Sequence, residues 1–365
     1  MHDLAMKAGG REIRGWTSAR VVKSMEQFAH EFSFTMVNGH AGVSGAYSAL
    51  SSDDVQTAVT AIDEIGDDDV VTVEVDGVPV VTGYIDGSDD SYSAVNVGLR
   101  VTGVAKTGDL IDCSAIHKTG AWADASMSDI ASDIVKPFGL SVSVSGDEGE
   151  HFKRFRLEHG ESAFEAITRL TSWRSFIPMT SSDGNVLLSR AGTKSSGATL
   201  ELGQNILIGG CTRSRRERFS DYIFRGQSAV SDAWHGEDAT QLSGQVEDGG
   251  MRRYRPLVIL GAKQRTSEDL EKRAAWERNV RYGRSLRSRY TVVGWKTDAG
   301  ALWEPNTLVH VRDPWCGIDE DLLLTGVQLV IDERGFVAEL DLMPPEAFDI
   351  EPPVEKKRKR GGRGY

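Results

Sequence analysis

Short runs of alternating apolar and polar residues, bounded by turn residues, fill both ends of this chain and exclude a mainly helical fold. Residues 71–75 read Val-Thr-Val-Glu-Val and lead into Asp76 and Gly77, a pair that favours the tight turn of a β-hairpin. The same alternation appears in residues 95–102 and 336–342. A period of two puts every second side chain on one face, so these runs predict strands with one buried and one solvated face.

One hairpin pattern occurs twice. Residues 71–87 read VTVEVDGVPVVTGYIDG, and residues 309–332 read VHVRDPWCGIDEDLLLTGVQLVID. Each copy has a Val-x-Val strand, a turn containing Asp, and a second strand with a Thr-Gly pair, at residues 82–83 and 325–326. The stretch between these landmarks is longer in the second copy. The pattern predicts a duplicated β module, and a coincidence of common strand patterns is the alternative.

Three segments have clear helical signals. Ser126 and Ser162 each precede an apolar stripe of helical spacing and are followed three residues later by an acid, Asp129 and Glu165. This spacing is typical of a capping box, in which the serine side chain and the acid satisfy each other's backbone amides. A third helix is predicted at residues 267–282, where oppositely charged pairs lie four residues apart.

The predicted class is α+β, mainly β, with two similar small antiparallel β-barrel domains and an intervening α+β domain. The predicted boundaries are 1–107 for the first β-barrel-like domain, 108–200 for the α+β domain, 201–348 for the second β-barrel-like domain and 349–365 for a basic flexible tail. Residues 228–250, rich in Gly, Ser, Asp and Glu, are predicted to be an exposed loop inserted in the second β domain. A short helix is predicted around residues 53–62.

The charge of the chain is unevenly distributed. The net charge is -12, and residues 356–363 contribute six basic side chains without an acid, so the rest of the chain carries -18. An acidic body disfavours a surface that wraps nucleic acid by neutralising phosphates. It fits a surface that repels DNA, and it equally fits ordinary solubility. The basic tail is predicted to be a solvated segment, with docking onto an acidic partner as the alternative.

Membrane and disulfide classes are not supported by the sequence. We find no apolar stretch of about 18 residues, and no secretory signal, so no membrane span is predicted. The cysteines, Cys113, Cys211 and Cys316, are odd in number and far apart, which argues against a disulfide framework and against a thiolate metal site.

No catalytic, cofactor-binding or metal-binding residue is predicted. The chain has no phosphate-binding Gly-rich loop, no dinucleotide fingerprint, no nucleophile elbow and no paired metal-ligating histidines. The acidic clusters at residues 67–69 and at Asp86, Asp89 and Asp90 could offer oxygen ligands to calcium, but solvated turn residues are the favoured interpretation. Tryptophans in or beside the β parts are predicted to serve core packing or subunit contact; these are Trp16, Trp295, Trp303 and Trp315.

Several segments in a fixed order resemble one family. They include GWTSARVVKSMEQFAHEFSFTM at residues 15–36, VTGVAKTGDLIDCSA at 101–115, RFSDYIFRGQ at 218–227, and LLLTGVQLVIDERGFVAELDLMPPEAF near the C-terminus. The chain resembles the tail baseplate hub proteins of Mu-like contractile-tail phages, the Mu P-protein family, which is related to the T-even phage hub. The resemblance covers residues 9–348.

This resemblance implies a structural role and no enzymatic activity. Hubs of this kind are homotrimers in which each subunit supplies two similar β-barrels, so that six barrels form a pseudo-sixfold ring. The ring joins the hexameric tail tube to the trimeric central spike, contacts other baseplate proteins, and leaves a channel through which DNA passes without specific binding. The implied location is the baseplate of the virion, after assembly in the bacterial host cytoplasm.

Two other functions remain open from the residues alone. One is a tail-associated cell-wall hydrolase, because paired carboxylates cannot be recognised without knowing their spacing in space. The other is a carbohydrate-binding β module that uses exposed tryptophans for stacking.

Overall fold

The computed structural model describes residues 4–8, 11–13, 16–39, 70–92, 96–192, 194–226, 242–261 and 266–349. The predicted short helix at residues 53–62 and nearly all of the predicted basic tail lie outside these residues. The chain divides into two compact units: residues 1–210 with 289–342, and residues 211–288 with 343–365. We treat each unit separately.

The strands, in chain order, are β1 Leu4–Ala8, β2 Arg11–Ile13, β3 Ser18–Ser24, β4 Glu31–Gly39, β5 Val71–Val75, β6 Val78–Tyr92, β7 Asn96–Ala105, β8 Ala121–Trp122, β9 Val142–Ser145, β10 Phe155–Arg156, β11 Ile177–Thr180, β12 Val186–Ser189, β13 Lys194–Glu201, β14 Ile206–Arg213, β15 Asp221–Gly226, β16 Leu242–Glu247, β17 Pro256–Gly261, β18 Leu286–Val293, β19 Thr307–Asp313, β20 Ile318–Asp332 and β21 Gly335–Met343. The α-helices are α1 Asp109–Asp112, α2 Met127–Val135, α3 Ala163–Ser172 and α4 Ser267–Arg284. Short 3-10 helices span Lys106–Gly108, Lys136–Phe138 and Pro345–Phe348.

One large sheet connects the β strands of both ends of the chain. Within the described residues it has 13 strands, in the order β14-β18-β21-β20-β3-β4-β7-β6-β5-β1-β2, with β19 beside β20 and β13 beside β19. The predicted α+β, mainly β class is confirmed. The two predicted barrels are corrected, because the described strands do not close. The edge of β3 pairs antiparallel with β20 from the other end of the chain, from Ser24–Gly326 to Ala19–Ile331, so it does not close a barrel in its own half.

The predicted alternation of buried and solvated faces holds in both hairpins. Val71, Val73 and Val75 on β5 are fully buried, as are Val309 and Val311 on β19. Burying one valine side chain stabilises a fold by about 1.5–3 kcal/mol relative to leaving it in water. The alternation therefore fixes which face of each strand turns inward.

A small α+β module follows the first strands. Helices α2 and α3 pack their apolar faces into one core that also contains Trp122, Phe152 and Phe155, and Val186 on β12. The three-stranded sheet of this module has the order β11-β12-β9, with β12 and β9 parallel.

Both predicted capping boxes of this module are confirmed. Ser126 accepts a hydrogen bond from the Asp129 amide at 3.0 Å, and Ser162 accepts one from the Glu165 amide at 3.1 Å. Each acid accepts a bond from the amide of its serine in return. The starts of α2 and α3 are thus set by local sequence.

The second unit contains a three-stranded sheet of order β16-β15-β17 with α4 across one face. Buried Tyr222 and Phe224 on β15 pack against Leu270 and Ala274 on α4. The third predicted helix is confirmed and runs from Ser267 to Arg284.

The predicted loop at residues 228–250 is partly wrong. Residues 242–247 of that segment form β16, whereas residues 227–241 lie outside the described residues. A side chain at Gly244 would come within 2.2 Å of the Glu271 amide nitrogen, so the close approach of α4 requires glycine there. Because β16 contains glycine and several polar residues, its sequence lacks the apolar alternation that predicts a strand.

Candidate functional site

The repeated hairpins of the first unit have the same construction in the structure. A short strand, β5 or β19, pairs antiparallel with the first part of a 15-residue strand, β6 or β20. β7 then pairs with β6, and β21 with β20.

The repeat extends beyond the hairpin. The strand order β5-β6-β7-β4-β3 in the first half matches β19-β20-β21-β18-β14 in the second half. We call these five-strand sets the first and second β modules. The repeat was recognised in the sequence for two of the five strands in each module, because the general alternation of the other strands does not show which of them correspond.

The two Thr-Gly pairs lie near corresponding points of β6 and β20, but the second pair is offset by two residues along its strand. Gly83 is the last residue of β6 that pairs with β5, and Gly326 is the first residue of β20 that pairs with β3, two residues after the pairing with β19 ends. A side chain at Gly83 would lie 1.9 Å from the carbonyl oxygen of Val104, so no other residue fits without a shift of the backbone. These pairs mark the point where the long strand loses its short partner.

The two β modules join through β3 and β20. Side chains add to the backbone ladder there: Lys23 is only 2% exposed, and its Nζ donates to Glu304 Oε1 at 2.6 Å and to Ser182 Oγ at 3.3 Å. His30 is also buried, and burial, with the nearby Lys23 charge, lowers its pKa well below the ordinary value. His30 is therefore neutral at pH 7, and the junction carries one buried cation paired with a carboxylate.

Two strand edges that correspond to this junction have no strand partner among the described residues. From Tyr84 onward β6 pairs only with β7, whereas the equivalent part of β20 also pairs with β3. β14, which corresponds to β3, pairs only with β18. An open edge presents unpaired backbone donors and acceptors, which are a template for another strand. Leu207 and Ile208 on β14 are 54% and 57% exposed.

The turns of the two hairpins differ. The first is the two-residue turn Asp76–Gly77, with both φ angles positive at 52° and 78°. The second spans residues 314–317 and places Trp315 almost entirely in solvent, 89% exposed. Of the four tryptophans noted in the sequence, Trp295 and Trp303 are buried core residues, and Trp16 is half-buried against a core cluster. Trp315 is thus the one with an orientation suited to a partner rather than to packing.

Asp313 holds the second turn in place. Its carboxylate accepts hydrogen bonds from the amides of Trp315 and Cys316 and from the Tyr290 hydroxyl, each at 3.0 Å. Burial would raise the pKa of Asp313, but the hydrogen bonds from Cys316, Tyr290 and Trp315 together hold it below its ordinary value. The carboxylate is therefore ionised at neutral pH, where it accepts bonds best.

Of the acidic residues considered as calcium ligands, Asp86, Asp89 and Asp90 lie in the described part of the chain, on β6. Burial, together with the charges of Asp109 and Asp112, raises the pKa of Asp86. No group of three or more potential ligands converges within the described part of the chain, and residues 67–69 lie outside it. The absence of catalytic, cofactor and metal residues stays a prediction. No helix of the described chain is long and apolar enough to cross a membrane.

Comparison with known proteins identifies three family profiles along this chain. Residues 3–104 match the family profile for the N-terminal domain of the Mu phage baseplate assembly protein GpP-like family. Residues 107–190 match the second domain of the baseplate hub protein gp44-like family, and residues 266–351 match the fourth domain of GpP. The baseplate hub protein gp44 of Escherichia phage Mu is 30% identical over 371 residues, which cover 99% of this chain and 93% of the relative.

The chain belongs to the Mu baseplate hub protein family. The resemblance inferred from the sequence is confirmed, and the chain is a phage baseplate hub protein.

Solved structures share the fold of this hub protein over nearly its whole length. The 43 kDa tail protein of prophage MuSo2 from Shewanella oneidensis is 31% identical, with a TM-score of 0.79 over 95% of this chain and 99% of that chain. A tail protein from Neisseria meningitidis is 23% identical, with a TM-score of 0.73 over 96% of this chain and 98% of that chain. The second likeness concerns the fold alone.

Proposed function

We propose that this hub protein acts as a homotrimer whose six β modules form a pseudo-sixfold ring between the hexameric tail tube and the trimeric central spike. The observation that carries the proposal is the pairing of β3 with β20 between two modules of the same strand order within one chain. A threefold assembly of two-module chains offers six equivalent positions on one side and threefold symmetry on the other. This is what a connector between sixfold and threefold partners requires.

The open edges give the ring a specific contact. We call the stretch of β6 from Tyr84 onward the outer part of β6. If β14 of one protomer pairs with this outer part in the next protomer, each junction between protomers repeats the junction between β3 and β20. Both edges lack a strand partner among the described residues, and Leu207 and Ile208 on β14 are exposed apolar residues. Adding a strand to an open edge satisfies backbone groups and buries apolar surface at once.

Charge is compatible with the same pairing at one end of the contact. The part of β6 from Tyr84 onward carries exposed Asp86, Asp89 and Asp90, and β14 ends at the exposed Arg213. In an antiparallel pairing like that of β3 with β20, Arg213 lies nearest to Asp86 of these three residues. Partial desolvation and the nearby carboxylates of Asp109 and Asp112 raise the pKa of Asp86, so a basic neighbour reduces the repulsion among these carboxylates.

DNA passage and location complete the proposal. A body with a net charge of -18 without its tail repels the phosphates of DNA, so a channel through the ring lets DNA slide without specific binding. The protein is assembled in the host cytoplasm and resides in the virion baseplate, in contact with other baseplate proteins. It has a structural role and no catalytic step.

Charged substitutions on β14 test the ring contact. The double variant Leu207→Lys and Ile208→Lys is expected to fold but to remain monomeric, because lysines on an edge strand block pairing. Both side chains are more than half exposed, so the loss of core packing is small. Light scattering after size exclusion measures the mass, and circular dichroism checks folding.

Val293→Lys is the matched control. Val293 lies on β18 and is 69% exposed, so the substitution adds one lysine to the adjacent strand without changing the β14 edge. We expect this variant to form trimers like the wild type. A folded β14 double variant that still forms trimers of wild-type stability would contradict the proposed pairing.

A further inference from the structure

Trp315 projects into solvent from a turn that is anchored by buried residues within it and on both sides of it. Its side chain is 89% exposed, although Asp313, Cys316 and Ile318 around it are at most 5% exposed. An exposed tryptophan on a mobile loop would lose conformational entropy on binding. Here the three bonds to the Asp313 carboxylate have already fixed the backbone, which lowers that cost.

The corresponding turn of the first module already has a partner within the chain. Asp76 Oδ2 accepts a hydrogen bond from Lys296 Nζ at 2.5 Å. Lys296 lies in the segment that connects β18 and β19 of the second module. Within one chain, the turn Asp76–Gly77 at the tip of the first hairpin thus contacts the second module. The contact lies just after β18, the strand that corresponds to β4.

A ring of equivalent modules requires the same kind of contact at the junction between protomers. There the hairpin tip of the second module, which carries Trp315, faces the first module of the next protomer. We propose that Trp315 docks on the first β module of a second copy of this chain and is the main apolar anchor of the contact between protomers. This inference rests on the proposed trimer and adds the residue that stabilises it.

The surroundings of Trp315 resemble the layout of a protein interface. Arg312, just before the turn, lies 3.8 Å from Asp319 and 3.6 Å from Glu201, so charged and partly exposed side chains lie at the base of the turn that carries the tryptophan. An apolar centre with a polar rim is the usual anatomy of an interface, and tryptophan is enriched among the residues that dominate binding. The longer second turn therefore reaches a partner that the first turn does not need to reach.

Truncation of the tryptophan is the test. Trp315→Ala is expected to raise the dissociation constant of the trimer by about 30-fold or more, as for a central interface residue, with an unchanged circular dichroism spectrum. Trp315→Phe is expected to recover much of the affinity. Ile116→Ala is the control, because Ile116 is 78% exposed and lies in the α+β module. Sedimentation equilibrium measures all four proteins, including the wild type.

Oxidative footprinting separates this inference from the trimer itself. We expect Trp315 to be reactive in dilute monomer and protected in wild-type trimer, while Trp173, which is 56% exposed in the α+β module, stays reactive in both. The inference is overturned if Trp315 stays reactive in the wild-type trimer and Trp315→Ala trimerises with the same affinity. The proposed trimer is unaffected by that result, and the turn at Trp315 then binds another baseplate protein. A wild-type protein that never trimerises overturns both.

Discussion

A few residues decide the geometry of the hub at the smallest scale. Gly83 allows β6 and β7 to approach closely, because any side chain there would meet the Val104 carbonyl. Lys23 and Glu304 form the ion pair at the junction of the modules. The sequence marked Gly83 as a landmark, but it gave no signal for Lys23, because a lysine on a strand normally faces solvent. Its burial depends on a partner almost three hundred residues away.

Asp313 supports a prediction about pH. Its folded pKa lies below the ordinary value of 3.8, so the carboxylate stabilises the fold above that value, and this contribution is lost as the pH falls through the folded pKa. Asp313→Asn is expected to lower the free energy of unfolding by about 1–3 kcal/mol at pH 7, since bonds to an ionised, buried carboxylate are replaced.

Urea denaturation at several pH values measures this difference. The difference in the free energy of unfolding between wild type and Asp313→Asn should be constant near neutral pH and should decrease below about pH 4. Asp319→Asn is the control, because Asp319 is exposed on the adjacent strand. A gap that does not depend on pH would mean that the Asp313 charge does not hold the turn.

Elements were predicted well where local chemistry defines them. The capping boxes at Ser126 and Ser162 gave the starts of α2 and α3, because the hydrogen bonds of a cap lie within four residues. Strand β16 was missed, because α4 packs so close to it that Gly244 replaces an apolar residue. The repeated hairpin was found, but the shared order of five strands was not, since pairing partners leave no mark in local periodicity.

Removal of one cap tests the contribution of local sequence. Ser162→Ala is expected to lower stability by about 1 kcal/mol, because the Glu165 amide loses its acceptor at the start of α3. Ser172→Ala, at the other end of the same helix, is the control, since its hydroxyl only donates to the Arg169 carbonyl within the helix. Thermal denaturation compares the two. Equal losses would show that the cap is not what stabilises this helix.

The whole molecule depends on contacts that sequence patterns do not reveal. Arg20 on β3 donates to Gln328 on β20 at 2.6 Å, although the two are 308 residues apart. The described strands do not close into the two separate barrels that the sequence predicted. The predicted duplication and the mainly β class agree with the structure. The same duplication leaves β14 and the outer part of β6 without strand partners in the described chain, and this motivates the proposed ring.

Electron cryomicroscopy of the purified protein tests the central claim most directly. The account predicts particles of about 120 kDa, three chains of 39.8 kDa, with threefold symmetry, six β lobes and a central channel. The map should show β14 of each protomer beside β6 of the next. Monomers at high protein concentration, or a twofold dimer with both edges exposed to solvent, would contradict it.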